Sequence, residues 1–79
     1  KVDIWQTPHK TIANKGWIGI FNRRPYLELI NFSKEELGLD KTIPYNLYDI
    51  WGKKIIDDAE SIIFEIPADD VVFIRYEKR

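Results

Sequence analysis

Cysteine is absent from the 79 residues, and histidine occurs once, as His9. Without thiols the chain can form neither a disulfide framework nor a thiolate metal site, and its redox compartment stays open. His9 has no partner at metal-ligand spacing and reads as a surface loop residue. Charge of one sign is lacking too, since 12 Lys and Arg face 13 Asp and Glu for a net charge of −1. The basic residues are spread along the chain, which argues against a nucleic-acid or anionic-membrane surface. No apolar run approaches the roughly 20 residues that span a bilayer. There is no low-complexity stretch, internal repeat or linker. The chain begins at Lys1 without Met or a signal-like segment, so it is expected to be a piece of something longer, any targeting information lying upstream.

What is present suits one globular domain, with 44% apolar and 32% charged residues. A domain of this length buries roughly 60–65% of its unfolded surface, enough to fold without staples. The organising stretch is Gly16 to Arg24, an apolar strand running into a charged exit before Pro25. Alternation puts Trp17, Gly19 and Phe21 on one face and Ile18, Ile20 and Asn22 on the other. Both faces are largely apolar, so protein is expected on both sides. One sandwich core can cover only one of them.

Around this strand the chain divides into short extended segments. Val2–Gln6 alternates, with Val2, Ile4 and Gln6 opposite Trp5. Thr7–Lys10 and Asn14–Gly16 read as turns. Tyr26–Phe32 reads as the hairpin partner of the central strand. Ser33 then serves as an N-cap with Glu36 completing a capping box, Phe32 and Leu37 forming a hydrophobic staple, and Gly38 at the left-handed stop. That predicts about one helical turn. After an Asp40–Pro44 loop come strands over Tyr45–Trp51, Lys54–Ile56, Ser61–Ile66 and Val71–Tyr76, parted by turns at Gly52-Lys53, Asp57–Glu60 and Pro67–Asp70. Some seven short strands at this spacing predict an all-β fold, an antiparallel sandwich.

Three motifs carry a resemblance. Trp17-Ile18-Gly19-Ile20-Phe21-Asn22-Arg23 resembles the apolar strand ending in Phe-Asn-Arg of the C-terminal domain of α-galactosidases, the melibiase-type glycoside hydrolases. Leu37-Gly38-Leu39 followed by Tyr48-Asp49-Ile50-Trp51 is similar to that family's Leu-Gly-Leu and Arg-Asp-Leu-Trp element. Ile66-Pro67-Ala68-Asp69-Asp70-Val71-Val72-Phe73-Ile74-Arg75 is similar to its closing strand. Order and spacing fit over residues ~2 to 76. Asp69-Asp70 stands where the family has His-Gly, and Tyr48 where Arg is common. The resemblance implies a Greek-key β-sandwich packed on the side of an upstream (β/α)8 catalytic barrel. It implies that the two catalytic aspartates belong to that barrel, and neither maps onto this chain.

The residues themselves offer few candidate sites. Asp57-Asp58-Glu60 and Asp69-Asp70 are carboxylate clusters, but both lie in turns where neighbouring side chains usually face solvent in different directions. Retaining glycoside hydrolysis needs two carboxyl groups about 5–5.5 Å apart, one of them kept protonated. Asp57, Asp58 and Glu60 also lack the spacing and glycine of a calcium loop. Neither catalysis, nor a metal, nor a cofactor is expected. Trp5, Trp17 and Trp51 could stack on sugar rings, but are expected to fill the core or an interdomain seam. Arg23-Arg24 reads as a solvated corner, and Asn31-Phe32-Ser33 matches a glycosylation sequon whose serine is better used as the helix cap.

Two strands are apolar on both faces, so an exposed patch is expected after the core has used one face of each. Its members come from Trp5, Trp17, Ile18, Ile20, Phe21, Trp51, Val71 and Phe73, as a docking or sugar-contact set. Docking on the barrel of the same polypeptide is the favoured function. A stand-alone carbohydrate-binding module would need the tryptophans exposed together, and a general protein-interaction sandwich would need an apolar face with a polar rim.

Overall fold

A computed structural model describes residues 2–79, with side chains from Asp3 onward. The expectations for Lys1 and for the side chain of Val2 lie outside the described residues. Seven strands form: β1 (Val2–Pro8), β2 (Lys15–Asn22), β3 (Glu28–Ser33), β4 (Tyr45–Asp49), β5 (Lys54–Ile56), β6 (Ser61–Ile66) and β7 (Val71–Lys78). They build a five-stranded sheet in the order β1-β2-β7-β4-β5 and a two-stranded sheet of β3 and β6, with every pair antiparallel. The sandwich expected from the strand spacing is therefore the observed fold.

Period-two patterning explains which side of each strand points inward. β6 alternates without a fault, burying Ile62, Phe64 and Ile66 and exposing Ile63 and Glu65. Opposite them the large sheet contributes Ile18, Ile20, Leu47 and Ile74. Burying one such aliphatic side chain is worth about 1.5–3 kcal/mol. Two tyrosines complete this layer, Tyr45 and Tyr76, meeting edge to face at 5.9 Å. Each keeps its buried hydroxyl bonded: Tyr45 accepts from the Asp40 amide at 3.2 Å, and Tyr76 from Gln6 Nε2 at 2.9 Å.

The Tyr26–Phe32 segment departs from expectation. It starts its strand at Glu28 and pairs with β6 in the second sheet, while β2 takes β1 and β7 as neighbours. The cause is Asn22, whose side chain is 1% exposed at the end of β2. Its Nδ2 donates toward the carbonyls of Tyr26 (2.9 Å), Ile66 (3.0 Å) and Pro67 (3.1 Å), and its Oδ1 accepts from the Arg24 amide at 3.0 Å. One side chain thus satisfies the backbone of a corner where the chain leaves one sheet for the other. A tight hairpin would have had no use for it.

Lys34–Gly38 forms a hydrogen-bonded turn where the capping residues predict a helical one, the Leu37 amide reaching the Ser33 carbonyl at 3.3 Å. The Ser33 hydroxyl accepts from the Glu36 amide at 3.1 Å, and Glu36 Oε1 accepts from the Ser33 amide at 2.9 Å. At the far end the Leu39 amide reaches back to the Lys34 carbonyl at 2.9 Å and the Gly38 amide to that of Glu35 at 3.0 Å, with Gly38 at φ 80°. That is a Schellman closure, and glycine reaches its φ without the steric cost a Cβ would bring. Phe32, Leu37 and Leu39 drop into the core from either side of the turn. β4 also ends earlier than expected, at Asp49, whose Oδ1 accepts from the Gly52 amide at 2.9 Å and starts a turn there. Trp51 therefore stands on a turn and not on a strand.

Candidate functional site

Register across the large sheet decides which alternation is the outer one. Ile18 and Ile20 are fully buried in the core, which removes them from the expected docking or sugar-contact set. Trp17, Gly19 and Phe21 point outward. On the neighbouring strands Trp5 lies opposite Gly19 and Gly19 opposite Phe73, while Phe21 lies opposite Val71. Trp17 is flanked by Thr7 and Arg75, and Arg75 by Tyr48. Trp51 joins from the β4–β5 turn, held near the sheet by the Ile50 amide donating to the Phe73 carbonyl at 3.0 Å.

The result is an aromatic cluster of Trp5, Phe21, Phe73 and Trp51, with Trp17 and His9 as a separate pair on the same face. Trp5 packs on Phe21 at 5.3 Å between ring centroids and on Phe73 at 6.4 Å, and Trp51 meets Phe73 edge-on at 4.9 Å. Trp17 stacks with His9 at 6.2 Å. Gly19 is the floor beneath these rings: a Cβ there would come within 3.1 Å of Phe73 Cε1 and 3.6 Å of Trp5 Cε3. Lacking a side chain, Gly19 lets both rings settle over the strand and is itself buried by them. The tryptophans nonetheless remain open, at 50% (Trp5), 38% (Trp17) and 59% (Trp51) exposure. Of the two places expected for them, the core is excluded for all three and the interdomain seam remains. Trp5 and Trp17 stand on the outward alternation of β1 and β2, opposite the side that carries Ile4, Ile18 and Ile20 to the core, and Trp51 stands on a turn. Val71, Phe21 and Phe73 are half-buried on the same surface.

The rim of this surface is polar and internally paired. Arg23 forms an ion pair with Asp3 and lies 5.5 Å over the Phe21 ring, and Arg75 lies 5.1 Å over Tyr48. Arg24 turns away, pairing with Glu28 at 3.0 Å and donating to the Tyr26 hydroxyl at 2.7 Å. The two arginines are exposed, as expected of a corner, but each has a specific partner. His9 accepts at Nδ1 from the amides of Thr11 (3.2 Å) and Ile12 (3.1 Å), which orders its loop.

The carboxylate clusters are not brought together. Asp57 and Glu60 are exposed, as are Asp69 and Asp70. Asp58 is the exception and corrects the reading of that turn as solvated. Its side chain is 7% exposed, and Oδ2 accepts from the Tyr45 amide at 2.7 Å while Oδ1 lies 2.9 Å from Lys34 Nζ. The lysine is equally buried, donates to the Ile43 carbonyl at 2.7 Å, and sits 5.0 Å from the Tyr45 ring centroid. Burial pushes the Asp58 carboxyl up, but the Tyr45 amide and the Lys34 ammonium outweigh it and hold the group below its ordinary value. Lys34 and Asp58 are 24 positions apart, and no sequence signal joined them. Their pair pins three loops at one end of the sandwich. Among the described residues no group of three or more His, Asp or Glu could hold a metal ion.

A seven-stranded antiparallel sandwich with aromatic residues displayed on the outer face of one sheet defines a β-sandwich module. The chain belongs to the family of α-galactosidase C-terminal β-sandwich domains, which it matches over residues 1–76. Among solved structures it resembles a GH27 β-L-arabinopyranosidase from Geobacillus stearothermophilus in complex with arabinose. The two share 16% identity at a TM-score of 0.76, over 96% of this chain and 17% of that enzyme. The chain thus spans about a sixth of the length of that enzyme. No curated protein sequence matches it.

Proposed function

We propose that the chain is the non-catalytic accessory domain of an α-galactosidase-like glycoside hydrolase, packing against an upstream (β/α)8 catalytic barrel of the same polypeptide and stabilising it. Family membership over nearly the whole chain carries this reading. It is supported by the dispersal of the carboxylates: retaining hydrolysis needs two carboxyl groups about 5–5.5 Å apart with one held protonated. Here the buried Asp58 carboxyl is held below its ordinary value by the Tyr45 amide and Lys34 and has no second carboxyl beside it among the described residues. The purified 79-residue chain is expected to release no sugar from nitrophenyl α-galactoside or β-arabinopyranoside, and the parent polypeptide to lose thermal stability when these residues are removed. Turnover by the chain itself, lost on changing Asp57 or Asp69, would refute the reading.

A second reading has one observation in its favour. Trp5, Trp17 and Trp51 are exposed on one face, the condition a carbohydrate-binding module requires. Pyranose recognition also calls for polar groups fixed beside the rings. On this face Arg23 is engaged by Asp3, and Arg75 covers Tyr48. An NMR titration with galactose and melibiose separates the two, since saturable shifts of the three indole N–H signals are expected only of a binding module.

A further inference from the structure

We infer that the aromatic outer face of the five-stranded sheet is the seat of the preceding catalytic domain, and that the opposite, outer face of the β3–β6 sheet stays in solvent. This rests on the accessory-domain reading and adds the surface it uses.

Both faces of the sandwich carry exposed apolar side chains, so exposure alone does not choose between them. On the small sheet Leu29 and Ile63 are 67% and 66% exposed. Leu29 lies opposite Glu65 and Ile63 opposite Asn31, so each stands beside a polar neighbour. That is a scattered pair on a narrow two-stranded ribbon.

The aromatic face differs in organisation. Its rings brace one another through Phe73 and Phe21, so little side-chain freedom remains to be lost when a partner settles on them. Tryptophan is also the residue type most enriched among those that dominate binding energy. The extent fits as well. Four strands about 4.8 Å apart and some six residues long, at about 3.3 Å each, present about 400 Å². Interfaces between domains of one chain bury roughly 600–1,500 Å² counted over both sides.

The direction of the chain points the same way. In a C-terminal domain the preceding polypeptide leads into β1, and β1 is the edge strand that carries Trp5 onto this face. A partner tethered at that edge reaches the aromatic surface without crossing the sandwich. The β3–β6 sheet lies on the other side of the core. At the β1–β2 end of the rim, Asp3 and Arg23 neutralise each other.

Hydroxyl-radical footprinting read by mass spectrometry tests the assignment, applied to the 79-residue chain and to the longer polypeptide in which it follows a catalytic domain. Trp5, Trp17 and Trp51 are expected to be labelled in the short chain and protected several-fold in the long one, with Leu29 and Ile63 labelled equally in both. Protection of Leu29 and Ile63 with the tryptophans still labelled would overturn the choice of face while leaving the accessory-domain reading intact. Protection of neither face would overturn both. As a second arm, Trp5→Ser with Trp51→Ser in the long polypeptide is expected to restore labelling at Trp17. Leu29→Ser with Ile63→Ser is expected to change nothing there, and the reverse pattern would contradict the assignment.

Discussion

Asn22 shows how one polar residue can decide a topology. Its amide group faces three carbonyls and one amide in a site that is 1% exposed, so every substitution leaves buried backbone groups without partners. Each such orphan costs about 1–3 kcal/mol. Asn22→Leu is expected to lower the melting temperature sharply. Asn22→Asp is expected to be worse, because it sets a carboxylate against three carbonyl oxygens. Chemical denaturation of the three proteins checks the order, and an aspartate variant as stable as the parent would show that the corner is not held this way. Asp58 supplies a second test at this scale. Its folded carboxyl is held below the unfolded value of about 3.9, so its stabilisation is complete above that pH and is lost as pH falls through the folded value. The Thr42 hydroxyl and amide hold exposed Asp40 low as well, so part of the acid slope is expected to remain without Asp58. Asp58→Asn should therefore be less stable at neutral pH and flatter as the pH falls below about 4. An unchanged acid slope in the variant would remove the Lys34–Asp58 pair from the stability of the fold.

Among the elements, those read correctly from sequence are the ones whose signals are local. Ser33, Glu36 and Gly38 lie within six residues of one another, and each does in the structure what its side chain dictates. Ser33→Ala is expected to cost about 1 kcal/mol. Leu37→Ala is expected to cost about 2–5 kcal/mol, because Leu37 fills the core beneath the turn. Thermal unfolding ranks the two, and a serine variant matching the parent would dismiss the capping box. Strand existence was equally legible, since alternation and turn residues are local features as well. Pairing was not. Phe21-Asn22 followed by Arg-Arg-Pro has the look of a hairpin, and only the long-range carbonyls of Ile66 and Pro67 reveal a corner. The inner face of β2 was hidden for a related reason. Ile18 and Ile20 on one side and Trp17 and Phe21 on the other are all apolar, so alternation does not say which side turns to the core. Lys34 and Asp58 were invisible as a pair because burial, not spacing, brings them together.

At the scale of the whole molecule, a domain of 79 residues presents its tryptophans outward and keeps aliphatic residues, two phenylalanines and two tyrosines in its core. That distribution makes sense when part of the stabilisation is supplied from outside the chain. A surface of this kind is normally covered in a soluble protein, and the catalytic domain proposed above to precede the chain would cover it. Coupling between the two domains is then a thermodynamic quantity, because a partner that binds only the folded sandwich raises its apparent stability. Differential scanning calorimetry of the longer polypeptide beside the 79-residue chain measures it directly. The sandwich is expected to unfold together with the catalytic domain in one transition, well above the melting temperature of the chain alone. Two independent transitions, with the sandwich melting where it does by itself, would contradict the account.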